Sequence, residues 1–286
     1  MKVLITTANG MFGGAVIRAL ENSGAEVRAM VRNPDKFEAR GPNVEVFKGD
    51  LDDPSSVEAA VSGVDKIFLC TPMDPHIAER ECRVIQKAAE AGVQHIVKIY
   101  GAVEHDDGPL VTQHKKAIDQ LKASGIEWTL VSPNSVLETS ILTHAPFVVE
   151  EGALFGMSGH GKGGFVALED VARVAAHVFT TEGHNGMNYE VTGPEALDMY
   201  AVAEQLSKAV GKEIPYNDMP EDEFTAMIQE ATGMPPEAVE TAIVCHLRCW
   251  LQGKAEKVTN TTADLTGTPL TSFQEWAKAH ASEFGG

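Results

Sequence analysis

The chain has 286 residues, 43% hydrophobic and 22% charged, enough for one large core or a core with an appended lobe. Against 41 acidic residues stand 23 lysines and arginines, a formal charge of −18. That field repels phosphate backbones and anionic lipid, and no apolar run reaches the roughly 18 residues of a membrane span, so nucleic-acid and membrane binding are excluded as expectations.

Met1 leads straight into a strand-like segment, with no apolar leader or small-residue cleavage site, so no secretory signal is expected. Val3–Thr6 reads as a strand and Phe12–Ser23 as a helix, with Phe12, Val16, Ile17 and Leu20 on one side. Between them lies T-x-x-G-x-x-G: Thr7, Gly10 and Gly13, with Gly14 extra. A tight turn of this kind lets backbone N–H groups at a helix N-terminus face a pyrophosphate, and side chains must be absent where phosphate approaches and where helix meets strand. Gly10 and Gly13 meet both needs. Thr7 departs from the usual first glycine and predicts a slightly looser first turn. The cofactor candidates here are Thr7, Asn9, Gly10, Met11, Phe12 and Gly13. The competing reading is a glycine turn that binds nothing.

Glu26–Val31 is the second strand, and the residues after it bear on which dinucleotide is bound. An NAD site places an acid near this strand end to bind the ribose 2′-hydroxyl. Here the chain reads MVRNPDK, with Arg32 next and Lys36 one helical turn on. A guanidinium suits a 2′-phosphate, so the expected cofactor is NADP(H). The alternative is a solvated basic turn. Val44–Lys48 is a third strand, and Asp50 and Leu51 beyond it are candidates to contact the adenine. A helix begins near Pro54, capped by Asp53 or Ser55. Lys66–Cys70 is a fourth strand, followed by Thr71 and Pro72, where the nicotinamide side of a cofactor passes.

His76–Ala91 is helical, His95–Tyr100 a fifth strand, Thr112–Ser124 helical, and Trp128–Val131 a sixth strand. Apolar strands separated by helices predict an α/β fold, a Rossmann-type doubly wound parallel sheet. After about residue 140 the rhythm changes. GHGKGG (159–164) reads as a mobile loop or hairpin, ALEDVARVAAHVFTT as a helix and NYEVTG as a strand. Helices follow at Tyr200–Val210, Glu221–Thr232, Pro236–Gly253 and Ser272–Phe284. The expected domains are 1–140 for the dinucleotide and 141–286 for a smaller, mostly helical substrate lobe, with some segments returning to the main sheet. Cys70, Cys82, Cys245 and Cys249 read as free thiols of a reducing, cytoplasmic compartment. Cys245 and Cys249 sit one helical turn apart, as a metal or redox pair or as two small residues on a buried helix face; no further Cys/His pair completes a metal site, and none is expected.

Six segments taken in order resemble the NmrA-like atypical short-chain dehydrogenases: VLITTANGMFGGAVIRAL, VRAMVRNPDK, GDLDDPSSVEAAVSGVDKIFL, AAEAGVQHIVKI, HKKAIDQLKASGIEWTLVSPN and TGTPLTSFQEWAKAHASEF. The resemblance spans nearly the whole chain. Within that family the chain is similar to NADPH-dependent quinone reductases and triphenylmethane-dye reductases. The resemblance implies an NADP(H)-binding Rossmann domain with a substrate cleft under the C-terminal lobe, and carries the cofactor role to Thr7, Gly10, Gly13, Arg32 and Lys36. The chain departs from the family at Thr7 and at KIYGA (98–102), where relatives often have a serine-containing strand end.

Ordinary short-chain dehydrogenases use Tyr-x-x-x-Lys as a proton relay. Here the residue four positions after each tyrosine is Glu104, Gly193, Glu204 or Pro220, so no tyrosine qualifies. In the helix where the pair should lie, QHKKAI puts His114 at the tyrosine place and Ile118 at the lysine place. Hydride transfer to a quinone, dye or activated alkene needs less, because the acceptor is already electrophilic. His114 and Tyr100 are the catalytic candidates, each able to hydrogen-bond or protonate a substrate oxygen. Met73, Asn134 and Trp250 are the substrate candidates. The expected function is an NADPH-dependent reductase of a small conjugated acceptor, acting as a monomer or homodimer on a small-molecule substrate. The competing readings are a non-catalytic NADP(H) sensor that docks on a partner protein and a lignan- or isoflavone-type reductase.

Overall fold

A computed structural model describes residues 1–38, 41–101, 103 and 109–286. Ala102, the last residue of the KIYGA departure, lies outside them. The chain divides into two units. Unit 1 is Met1–Tyr100, Asp107–Ser132 and Val171–Tyr189, and unit 2 is Gly101–Asp106, Pro133–Asp170 and Glu190–Gly286.

Unit 1 is built on β1 (Lys2–Ile5), β2 (Glu26–Val31), β3 (Val44–Lys48), β4 (Lys66–Leu69), β5 (His95–Ile99) and β6 (Glu127–Pro133). They alternate with α1 (Met11–Leu20), α2 (Pro54–Val61), α3 (Ile77–Ala91) and α4 (Pro109–Ala123). The sheet order is β3-β2-β1-β4-β5-β6, with Met187–Val191 on the far side of β6. Every pair from β3 to β6 is parallel. Gly186 N–H donates to Trp128 O and Asn134 N–H to Val191 O, so the seventh strand runs the same way. This is the Rossmann doubly wound fold the alternation predicts.

Residues on both faces of the strands are buried, as a doubly covered sheet requires: Val3, Leu4 and Ile5 on β1, Ile67, Phe68 and Leu69 on β4. One face packs Leu4, Ile67, Leu69 and Ile96 against α2, α3 and α4 through Val57, Val84, Ile85 and Leu121. The helix ends follow their chemistry. Asp53, rather than Ser55, caps α2, its carboxylate accepting from Ser55 N–H, and Gly92 stops α3 at a φ of 76°.

Unit 2 has its own core, including Leu154, Phe224, Phe273, Trp276 and Phe284. Three short strand pairs join distant stretches: Phe165–Val166 with Ser135–Val136, Lys162–Gly163 with Leu197–Asp198, and Tyr216–Asp218 with Leu154–Gly156. The GHGKGG segment is therefore neither a free loop nor a hairpin. A Cβ at Gly161 would lie 2.4 Å from the Trp250 carbonyl, and one at Gly164 2.5 Å from Lys257 O. These glycines permit close backbone approach rather than motion. The helix expected at Pro236–Gly253 is three pieces, Pro236–Val239, a π-helical turn Glu240–Val244 and Cys245–Leu251. The last helix is Phe273–Ala279, closed at its start by a Ser272/Glu275 capping box, and a 3-10 turn Ala281–Phe284 follows.

Among the described residues no helix is long and apolar enough to cross a membrane. All four cysteines are free thiols, and Cys249 is buried.

In the interior of unit 1, Thr129 Oγ1 donates to His184 O at 2.6 Å, so it accepts from His95 Nε2 at 2.9 Å. That bond places a ring proton on Nε2. Burial, with Lys66 and His184 adding to it, pushes the His95 pKa down to about 4. Above the unfolded pKa of about 6.5 the ring is neutral in both states and pH has no effect through it. Below that value the unfolded chain takes a proton the native chain refuses, so stability falls as pH drops toward 4, by about 3 kcal/mol for the whole shift. His95→Gln keeps a donor for Thr129 and should flatten this acid limb by that amount in urea unfolding between pH 7 and 4. An acid limb identical to that of the unmutated protein would remove His95 as its cause.

Candidate functional site

The glycine turn sits at the point where β1 has β2 on one side and β4 on the other, where open α/β sheets bind ligands. Thr6, fully buried, donates from Oγ1 to Cys70 O at 2.6 Å and accepts from Cys70 N–H at 2.9 Å, tying the carboxyl end of β1 to that of β4. Thr7 Oγ1 adds a bond to the same carbonyl at 3.2 Å.

Thr7 holds a φ of 47°, the only left-handed non-glycine residue described. A β-branched side chain resists that conformation, which explains why glycine is the usual occupant. The looser turn expected from Thr7 does not occur: its carbonyl accepts from Gly10 N–H at 2.8 Å and closes the turn. A Cβ at Gly13 would lie 2.6 Å from that same carbonyl and 3.0 Å from Ala8 Cα, so only glycine lets α1 pack this closely. A Cβ at Gly10 would stand 3.0 Å from it. The N-cap is Gly10, without a side-chain cap, and the first turn of α1 carries no acid. Backbone N–H groups and the positive end of the helix are thus left for an anionic ligand. Asn9, Gly10 and Met11 are exposed, Phe12 is half-buried, and the cradle fits a pyrophosphate.

Arg32 and Lys36 follow β2, and the Asn33 side chain caps the short Pro34–Lys36 turn between them. Both cations are exposed and enter no hydrogen bond or ion pair with described residues. Leu51 is packed into the core of unit 1, so its side chain is not open to a ligand. Asp50 accepts from Asp52 N–H and shapes the loop.

α3 pins the loops around this edge. Arg80 grips Asp52 bidentately at 2.6 and 2.9 Å and reaches Asp74 at 2.6 Å, while Arg83 donates to Leu51 O. Its hydrogen bonds to Asp52 hold that carboxyl below the usual carboxylate range. Pro72 is exposed, and so is Met73 at 62%.

Next to this edge lies a buried charged cluster. Lys98 on β5 has a side chain 0% exposed and Glu81 on α3 one 1% exposed. Lys98 Nζ donates to Glu81 Oε1 at 2.8 Å, to Ile99 O at 3.2 Å and to His114 Nδ1 on α4 at 3.1 Å. Glu81 Oε2 lies 2.7 Å from the same ammonium without hydrogen-bond geometry. Thr71 donates to Glu81 Oε1 at 3.2 Å. Burial alone would raise the Glu81 carboxyl, but the Lys98 ammonium facing it holds it below its ordinary value. Tyr100 stands edge-on to His114, ring centroids 5.4 Å apart. Burial raises the neighbouring Cys70 thiol to about 11, which keeps it protonated near neutral pH.

The structure therefore groups His114, Tyr100 and Thr71 with two residues the sequence reading passed over, Lys98 and Glu81. Both carried a signal. Lys98 interrupts the apolar run HIVKI, and Glu81 falls on the buried stripe of α3 with Ile77, Ala78, Val84 and Ile85. Asn134 and Trp250 belong to unit 2. Trp250 is buried, donates from Nε1 to Ser135 Oγ at 2.9 Å and stands edge-on to Phe165. The Asn134 side chain donates to Ala255 O and accepts from Ser135.

Residues 7–182 match the family model described as NAD(P)H-binding. The chain is 32% identical over 289 aligned residues to NAD(P)H azoreductase from Xenophilus azovorans, covering 99% of each chain. It superposes on the NADPH complex of Escherichia coli quinone oxidoreductase QOR2 with a TM-score of 0.85 and 28% identity, covering 98% of this chain and 99% of that one. It also superposes on Citrobacter triphenylmethane reductase complexed with NADP(H), with a TM-score of 0.85 and 25% identity over 98% of this chain and 100% of that one.

Thr7→Gly should relieve roughly 1–2 kcal/mol of backbone strain, offset in part by about 1 kcal/mol of added unfolded-chain entropy. We expect stability unchanged or slightly higher in urea unfolding, and dinucleotide affinity within about threefold. An affinity loss beyond tenfold would mean that the hydroxyl itself touches the ligand.

Proposed function

The chain belongs to the NAD(P)H-binding, NmrA-like atypical short-chain dehydrogenases, and on that premise we propose that it is an NADPH-dependent reductase of small conjugated acceptors such as quinones, azo compounds and dyes. Support comes from the azoreductase, quinone oxidoreductase and triphenylmethane reductase to which it is similar. The observation that carries the reading is the site's polar inventory: His114 and Tyr100 at the carboxyl edge of the sheet, with no Tyr-x-x-x-Lys relay anywhere in the chain.

Thr7–Gly13 hold the pyrophosphate on the N-terminus of α1. Arg32 and Lys36 bind the 2′-phosphate, and the absence of an acid at that strand end disfavours NADH. Asp50, Leu51, Thr71 and Pro72 line the path of the rest of the cofactor. The bound dinucleotide supplies a hydride. His114 hydrogen-bonds the acceptor, with Tyr100 beside it, and Met73 offers an exposed apolar surface. Orientation and exclusion of water do most of the work, since the acceptor is electrophilic before it binds.

Loss of a charge-assisted contact to the 2′-phosphate costs about 1.5–3 kcal/mol, so Arg32→Asp should weaken NADPH roughly 10–100-fold and leave NADH equal or better. Fluorescence titration with both cofactors measures this, and two unchanged dissociation constants would refute the assignment. Turnover is tested by NADPH oxidation with menadione, an azo dye and malachite green. Tight NADPH binding with no turnover on any of them would leave a cofactor sensor in place of an enzyme.

A further inference from the structure

The hydrogen bonds of Lys98 determine the state of His114. An ammonium has three protons and no lone pair, so it can only donate. Its three protons have three acceptors in hydrogen-bond geometry, Glu81 Oε1, Ile99 O and His114 Nδ1. Nδ1 is therefore an acceptor and carries no proton. The one rival arrangement, Nδ1–H donating to Glu81 Oε2, fails on distance, because that pair is 3.8 Å apart. A neutral ring with Nδ1 bare has its proton on Nε2.

We propose that Lys98, held in place by Glu81, is a positioning residue that fixes His114 as an Nε2–H donor and so tunes the enzyme toward acceptors that build negative charge on oxygen or nitrogen. The proposal rests on the reductase reading above. When hydride adds to an enone, quinone or azo compound, an electron pair moves onto the heteroatom. The Nε2–H group hydrogen-bonds that atom as its charge grows, and solvent supplies the proton that completes the product. A triarylmethane cation behaves differently. Hydride adds to its central carbon and discharges a positive charge, with no anion formed and nothing for the donor to stabilise. The buried pair thus has a use beyond packing, which answers why two charges sit inside an otherwise apolar sheet and helix at a desolvation cost.

The test compares the unmutated protein, His114→Leu, which removes the donor, and the double variant Lys98→Met with Glu81→Leu. The double replacement avoids leaving one buried charge unpaired. Rings labelled with ¹⁵N report the tautomer by two-bond ¹H–¹⁵N correlation. The unmutated protein should show His114 in the Nε2–H form, and the double variant a mixture of both tautomers. In His114→Leu the quinone-to-dye ratio of kcat, menadione against malachite green, should fall at least about tenfold, and in the double variant, whose ring keeps a share of the Nε2–H form, by less, with NADPH affinity preserved in both. A mainly Nδ1–H or doubly protonated ring in the unmutated protein would overturn the proposal. So would an equal loss on both acceptors, which marks a structural role. If the double variant does not fold, the unmutated ring spectrum and the His114→Leu ratio decide the matter. An unmutated protein that binds NADPH and reduces neither acceptor defeats the reductase reading and the acceptor preference together, while the ring spectrum still judges the tautomer.

Discussion

The contact on which this site depends is the approach of Gly13 to the Thr7 carbonyl, where a Cβ would come within 2.6 Å. With no side chain there, α1 lies against the end of β1 and its uncapped N-terminus opens beside the turn. The same carbonyl closes the turn through Gly10 N–H. Thr6 and Thr7 then bind the Cys70 carbonyl and hold β1 and β4 together at the switch point. A helix dipole, a set of free N–H groups and the crevice between two strands are brought together by one missing methyl group.

Thr7 is an instructive exception to the glycine rule. A left-handed β-branched residue is strained, and strain persists only where the surroundings over-determine it. Here the surroundings are the carbonyl of Cys70, bonded by the Thr7 hydroxyl, and the Gly10 N–H bonded by its carbonyl. The hydroxyl is a local compensation that glycine would not have.

Two kinds of charge serve the carboxyl edge. The exposed kind, Arg32 and Lys36, stands clear of described partners and forms a local positive patch in a chain of net charge −18. The buried kind, Lys98 and Glu81, is desolvated and held by direct contacts that define a proton position on His114. Arg80 and Arg83 do a third job from α3, clamping the loops that carry Asp52, Asp74 and Leu51. One helix thus supplies both the carboxylate of the cluster and the clamps of the loops.

The strands, helices and glycine turn of unit 1 were legible in the sequence, because parallel strands buried on both faces are continuous apolar runs and their helices end on capping residues and glycines. The position of Arg32 just after a strand was legible for the same reason, since it is local. The short strand pairs of unit 2 were not, because two or three residues carry no periodicity and their partners lie far away in the chain. GHGKGG reads as mobile in isolation, and only the Trp250 and Lys257 backbones reveal why glycine is required there. Trp250 and Asn134 read from sequence as substrate candidates, and only the structure shows that they bond Ser135 and Ala255. Lys98 and Glu81 were visible as charges in apolar patterns, but pairing them with His114 takes three elements separated in sequence and joined in space. Local sequence determined the sheet, the turn and the basic residues that follow β2; long-range packing decided which polar groups face one another and where the histidine keeps its proton.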